Sequence, residues 1–217
     1  MANFLTSLIT GRASRAGNSN EQATRGTQYG SLAVAQFEPD WLELSRAGHR
    51  FHGGCQVIAN GIAPVTAIPT TTATLCLYNA EQAGGRSYLV EEIAFALGSG
   101  TPTAGAALLI AVSNGPVATA PTMASNYAVQ SMSAGGKATR AVFGTAVTLP
   151  ASSVWRQVGG SQQLAAANVG QSERPYPLRG LILPPGYGLG IAILSGTGTT
   201  PLFAVSAAWS ELALDLE

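Results

Sequence analysis

From Arg50 onward the chain is a succession of short apolar runs cut by glycine and proline. Runs of this length, bounded by turn formers, read as strands. The spacing predicts strands at 50–59, 72–78, 86–97, 106–113, 126–132, 138–149, 153–158, 178–183, 187–195 and 202–214. No helix-length pattern alternates with them, as a parallel α/β sheet would require. The chain after Arg50 is therefore expected to be all-β.

Alternation within the runs says how the strands pack, because successive side chains point to opposite faces. In 86–97, Leu89, Glu91, Ile93, Phe95 and Leu97 share one face, and Tyr88, Val90, Glu92, Ala94 and Ala96 share the other. In 187–195, Leu189, Ile191 and Ile193 lie opposite Gly188, Gly190 and Ala192. In the last run Phe203, Val205, Ala207 and Trp209 align, with small residues behind them. A heavy face turned inward and a small-residue face turned outward is a β-sandwich pattern. Between two apolar strands, Pro184-Pro185-Gly186 makes a corner, since proline cannot donate to a ladder and glycine permits the turn. The expected fold is a jelly-roll-like β-sandwich with an extended N-terminal arm.

The organisation follows. Residues 1–30 alternate Gly, Ser, Thr, Asn, Gln and Ala and cannot bury enough to fold alone. Arg12, Arg15 and Arg25 against Glu21 give this arm a charge of +2, three minus one. Such an arm is expected either to stay a flexible terminus or to order by lying along a neighbouring subunit, and the second reading makes those arginines candidates for intersubunit contacts. Residues 31–49 form a linker with a short helix or turn over Phe37–Ala47, opened by Pro39 and Asp40 and ended by Gly48. Residues 50–217 form the sandwich.

Charged residues make up 10% of the chain and hydrophobic ones 46%, where a free soluble domain is about a quarter charged. Ten of the eleven basic residues are Arg, and Lys137 is the only lysine. A surface of small neutral side chains favours packing against other protein. The formal net charge is zero, which gives no basic face for phosphates and little protection against self-association. No apolar run reaches the roughly 18 residues of a membrane-spanning helix. The first ten residues lack the positive start of a secretory signal.

Sites of chemistry are scarce. His49, His52 and Cys55 fall at three-residue intervals, but a closed zinc site normally takes four ligands, and on a strand His49 points away from His52. Cys55 and Cys76 lie in apolar runs, as reduced structural thiols do. Asp occurs only at Asp40 and Asp215, and no serine sits in a Gly-x-Ser-x-Gly elbow. Glu91 and adjacent Glu92 face opposite sides and cannot act together without a bulge, so Glu91 is expected to be either a strand-edge carboxylate or the partner of a buried arginine such as Arg140 or Arg179. The glycine-rich stretches fit no phosphate loop. Neither enzyme activity nor a cofactor is expected. Of the tryptophans, Trp209 is placed in the core, and Trp155, after Ser152-Ser153-Val154, is the candidate for an exposed contact with protein or sugar.

Short motifs add a resemblance. Gly48-His49-Arg50-Phe51, Leu77-Tyr78-Asn79, Gly84-Gly85-Arg86, Gly98-Ser99-Gly100-Thr101 and Pro184-Pro185-Gly186 resemble, in kind and order, those of tailed-bacteriophage virion proteins. The likeness covers roughly residues 40–110 and 180–195. It implies a non-enzymatic structural protein of the particle, a capsid decoration (cement) protein. Such a protein is expected to act as a homo-oligomer, a trimer, bound to the major capsid protein or another virion protein, without membrane or nucleic acid. Its place would be the virion, assembled in the host cytoplasm. The alternative is a head–tail or tail-fibre component acting as a carbohydrate- or receptor-binding module.

Overall fold

A computed structural model describes residues 44–57, 60–102, 105–161, 175–196 and 198–213. It opens on a single helical turn at residues 44–46. Gly48, at φ +69°, ends that turn, as expected. Its N–H donates to Ser45 O at 3.0 Å and that of His49 to Leu44 O at 2.9 Å. The remainder of the expected helix, from Phe37 to residue 43, lies outside the described residues.

Ten strands follow: β1 (Arg50–Cys55), β2 (Thr72–Asn79), β3 (Ser87–Thr101), β4 (Ala106–Val112), β5 (Tyr127–Ser131), β6 (Ala141–Thr148), β7 (Trp155–Ser161), β8 (Tyr176–Leu183), β9 (Gly188–Ser195) and β10 (Thr199–Leu212). Each matches one of the ten expected runs. They form two five-stranded sheets, in the orders β5-β1-β10-β3-β8 and β6-β2-β9-β4-β7. The chain is folded back on itself like a long hairpin: β1 pairs with β10, β2 with β9, β3 with β8 and β4 with β7, all antiparallel. Successive strands alternate between the sheets except at β6 to β7. Without β5 and β6 this is the eight-stranded jelly roll. The two extra strands sit side by side in sequence and extend both sheets at the β1–β2 edge. The fold is an all-β jelly-roll-like sandwich.

The core lies between the sheets. Trp209 on β10 is fully buried, with Phe51, Tyr88 and Phe143 around it at centroid distances of 6.1–6.2 Å. Because Phe143 comes from the opposite sheet, this one ring ties the two layers together. Burying each such side chain contributes about 1.5–3 kcal/mol, and well-oriented ring pairs add about 0.5–1.5 kcal/mol. The aromatics leave β1 little room: a Cβ on Gly53 would stand 2.6 Å from the Phe143 ring.

Two details depart from simple alternation. Ile93, Phe95 and Leu97 face the core as expected, but Tyr88 and Val90 do so as well, whereas Leu89 and Glu91 are only half-buried. The register of β3 shifts between Val90 and Glu92 against β8, and β10 shifts between Ala208 and Trp209. One extra residue in a strand reverses the faces beyond it. The second departure is on β9. Its small face does not open outward, since Gly188, Gly190 and Ala192 are all buried. Val117, Leu149 and Trp155 of the same chain cover the outside of this sheet with Cys76, Tyr78 and Ala111 in a second, smaller apolar cluster. Glycine is what lets them lie so close: a Cβ on Gly190 would stand 2.6 Å from Leu149 Cδ1 and 3.2 Å from Trp155 Cη2.

Candidate interaction surfaces

Trp155 begins β7 opposite Ala111. Its ring is half-buried against Gly190, and its Nε1 is buried with no hydrogen-bond partner among the described residues. The exposed apolar group at this turn is its neighbour Val154, at 79% exposure. The expected open tryptophan is thus largely a lid on the second sheet, because the glycines of β9 leave a trough that the indole fills. Arg12, Arg15 and Arg25 lie outside the described residues.

The His-Cys run does not converge. His52 is exposed on β1. The His49 ring meets Lys137 Nζ through Nε2 at 2.9 Å, and its pKa is lowered by desolvation and by the charges of Lys137 and Arg86. The Cys55 thiol donates to Val57 O at 3.0 Å. Among the described residues no three His, Cys, Asp or Glu side chains gather as a metal-ligand set. Both cysteines are free thiols, and burial pushes that of Cys76 up to about 12.

The carboxylates are held in pairs. Glu91 Oε2 accepts from Arg50 Nε at 2.8 Å and Nη2 at 2.6 Å, and its Oε1 accepts from Ser210 Oγ. This is the expected ion pair with a different arginine. The bulge in β3 turns Glu91 outward, where Arg50 on β1 reaches it across β10. Sequence reasoning missed Glu211, whose side chain is fully buried. Arg86 Nη1 meets its Oε2 at 3.3 Å, and the Thr139 hydroxyl donates to Oε1. Desolvation raises its pKa, and the Thr139 hydroxyl and the Arg86 guanidinium partly offset that rise. A lone Glu between Trp209 and Leu212 in an apolar strand is the only signal in the sequence.

Asn79 joins motifs that are far apart in sequence. It is fully buried, and its Nδ2 donates to Arg86 O at 2.8 Å and to Leu183 O at 2.9 Å, while its Oδ1 accepts from Glu81 N–H at 3.0 Å. Its backbone bonds Tyr187 O and Gly186 N–H. Leu77-Tyr78-Asn79 therefore clamps both the Gly84-Gly85-Arg86 turn and the Pro184-Pro185-Gly186 corner. At that corner Gly186 has φ +83° and Tyr187 N–H returns to Pro184 O at 3.1 Å. Pro at the second and Gly at the third position is type II turn chemistry.

What remains open is neutral surface. The outer side of the first sheet carries Ala94, Ala96 and Ala204, half-buried, with Ser206 and His52 exposed. Beside β6 two grooves of about 730 and 680 Å³ meet at Thr145 and Ala146. No charged residue lines either groove. Arg50, Glu91, Arg86 and Glu211 are engaged in pairs within the fold, whereas Lys137, Arg140 and Arg156 are exposed and the two grooves beside β6 offer neutral contact. In comparison with known proteins, no family model, no curated protein and no solved structure matches this chain.

Proposed function

We propose that this chain is a non-enzymatic structural protein of a tailed-phage particle, a decoration protein that binds the head lattice as a homo-oligomer, with the trimer as the expected state. The observation that carries the reading is the jelly-roll sandwich, with two uncharged grooves open beside β6. Three of the turn motifs that resemble virion proteins support it, because Asn79 ties Leu77-Tyr78-Asn79 to the Gly84-Gly85-Arg86 turn and the Pro184-Pro185-Gly186 corner. A lattice-binding protein gains affinity from many weak, repeated contacts, so it needs rigid neutral surface more than a reactive cleft. The receptor-binding alternative asks for an open aromatic platform, and Trp155 packed on β9 does not supply one.

Light scattering on the full chain and on a chain beginning at Ser31 tests the reading, followed by co-sedimentation with empty capsids. A discrete oligomer that loosens without residues 1–30 and decorates capsids is the expected result. A full-length protein that stays monomeric at high concentration and ignores capsids sinks it.

A further inference from the structure

β6 ends its sheet, and its outer edge is covered only in part. Phe143 turns its N–H to Met123 Sδ at 3.4 Å and its C=O to Ala124 N–H at 2.7 Å, so the segment before β5 closes the edge there. By alternation Thr145 points its backbone groups the same way. No backbone bond from the described residues reaches them on that side. Thr145 and Ala146 are exposed, and Ala146 holds φ +53°, a strained value for a residue with a Cβ. An unpaired edge of this kind is a template for another strand, and here it stands where two uncharged grooves meet.

We infer that residues 4–10 of a second copy dock along this edge as an added strand. The inference rests on the homo-oligomer reading above and names the contact that would hold it. Residues 1–10 contain no charge, no Gly and no Pro, and they carry Phe4, Leu5, Leu8 and Ile9. They therefore match both the neutrality of the grooves and the needs of edge pairing, in which main-chain bonds give affinity and side-chain pockets give register. Their reach also fits. From Thr10 to Leu44, where the described body begins, is 34 residues (44 minus 10), which span up to about 110 Å when extended. A body of this size is roughly 40 Å across, so the segment reaches a neighbour. Residues 31–37, also neutral and free of Gly and Pro, lie too near Leu44 to pass beyond roughly one body diameter.

The test uses the full chain and three variants: Leu8→Lys, Thr145→Glu and the two combined. Each single change sets an unpaired charge in a neutral contact and should raise the self-dissociation constant about tenfold or more. The double variant pairs the two charges and should bring it back to within a few-fold of the parent. Circular dichroism checks folding, and Ala118→Glu, also on an exposed groove residue, replaces Thr145→Glu if that variant misfolds. If the parent associates and neither single change weakens it, the docking is wrong while the homo-oligomer reading survives. Were the parent monomeric throughout, with capsids as without, both would fall. Hydrogen exchange gives the last arm: protection of the Thr145 amide that persists after dilution to monomer would put the segment on its own body and overturn docking on a second copy.

Discussion

Single residues in this protein act mostly by closing off polar groups that the sandwich would otherwise strand. Asn79→Ala removes three bonds, one buried and two partly so, and leaves two carbonyls and an N–H without their partner. At about 1 kcal/mol per bond, with further cost for the orphaned groups, the loss should be about 2–4 kcal/mol. Thermal denaturation should show a fall of about 5–15 °C, and an unchanged melting temperature would show that the two turns stand without this clamp. Glu211 has the opposite sense. Burial raises its pKa above the ordinary 4.5, so the folded state holds the proton more tightly than the unfolded chain. Its contribution is full below that ordinary value and is lost as the pH rises through the folded value. His49 is lowered, so its contribution is present above about pH 6.5 and lost as the pH falls through its folded value. Melting curves from pH 4 to 8 for the parent and for Glu211→Gln separate the two. The advantage of the parent over the variant should shrink as the pH rises from 4 toward neutrality, and parallel curves would remove Glu211 from the account.

The elements were legible to the extent that their chemistry is local. Gly and Pro punctuation located all ten strands, and alternation placed Phe95, Leu97, Leu189, Ile191, Phe203 and Trp209 on inner faces, because turn residues and period-two burial act over a few neighbours. What alternation missed depends on partners distant in the chain. The shift at Glu91 arises where β3 meets β8 and β10, and it brings Tyr88 inward and Glu91 toward Arg50. The small face of β9 looked like open surface, yet it receives the 117 and 149–155 segments of the same chain. The buried Glu211 left only a single charged letter in an apolar run. Gly190→Val tests the β9 account, since its side chain would displace Leu149 and Trp155. Overpacking of this kind costs about 1–3 kcal/mol. A red shift in tryptophan emission should accompany the loss as the Trp155 indole lifts into water. Stability lost with no change in emission would mean that the sheet, not its cover, gave way.

For the whole molecule, the arrangement of charge bears most directly on assembly. The described ion pairs are internal, with Arg50 on Glu91 and Arg86 on Glu211, while the grooves beside β6 are lined by no charged residue. The formal net charge is zero, so copies approach one another without long-range repulsion. Contacts made by such surfaces depend on apolar area and backbone pairing, which salt screens little, whereas exposed charge pairs weaken steeply as the Debye length falls from about 10 Å at 0.1 M to about 3 Å at 1 M. The self-association constant should therefore change by less than about threefold between 0.1 and 1 M sodium chloride, an energy change under about 1 kcal/mol. Sedimentation at several concentrations in each salt measures it. A tenfold weakening at high salt would place the contact on charged groups instead, with Arg12, Arg15 and Arg25 the first to substitute. Their replacement by Gln would then abolish the salt dependence, whereas association through neutral surfaces leaves it flat in both proteins.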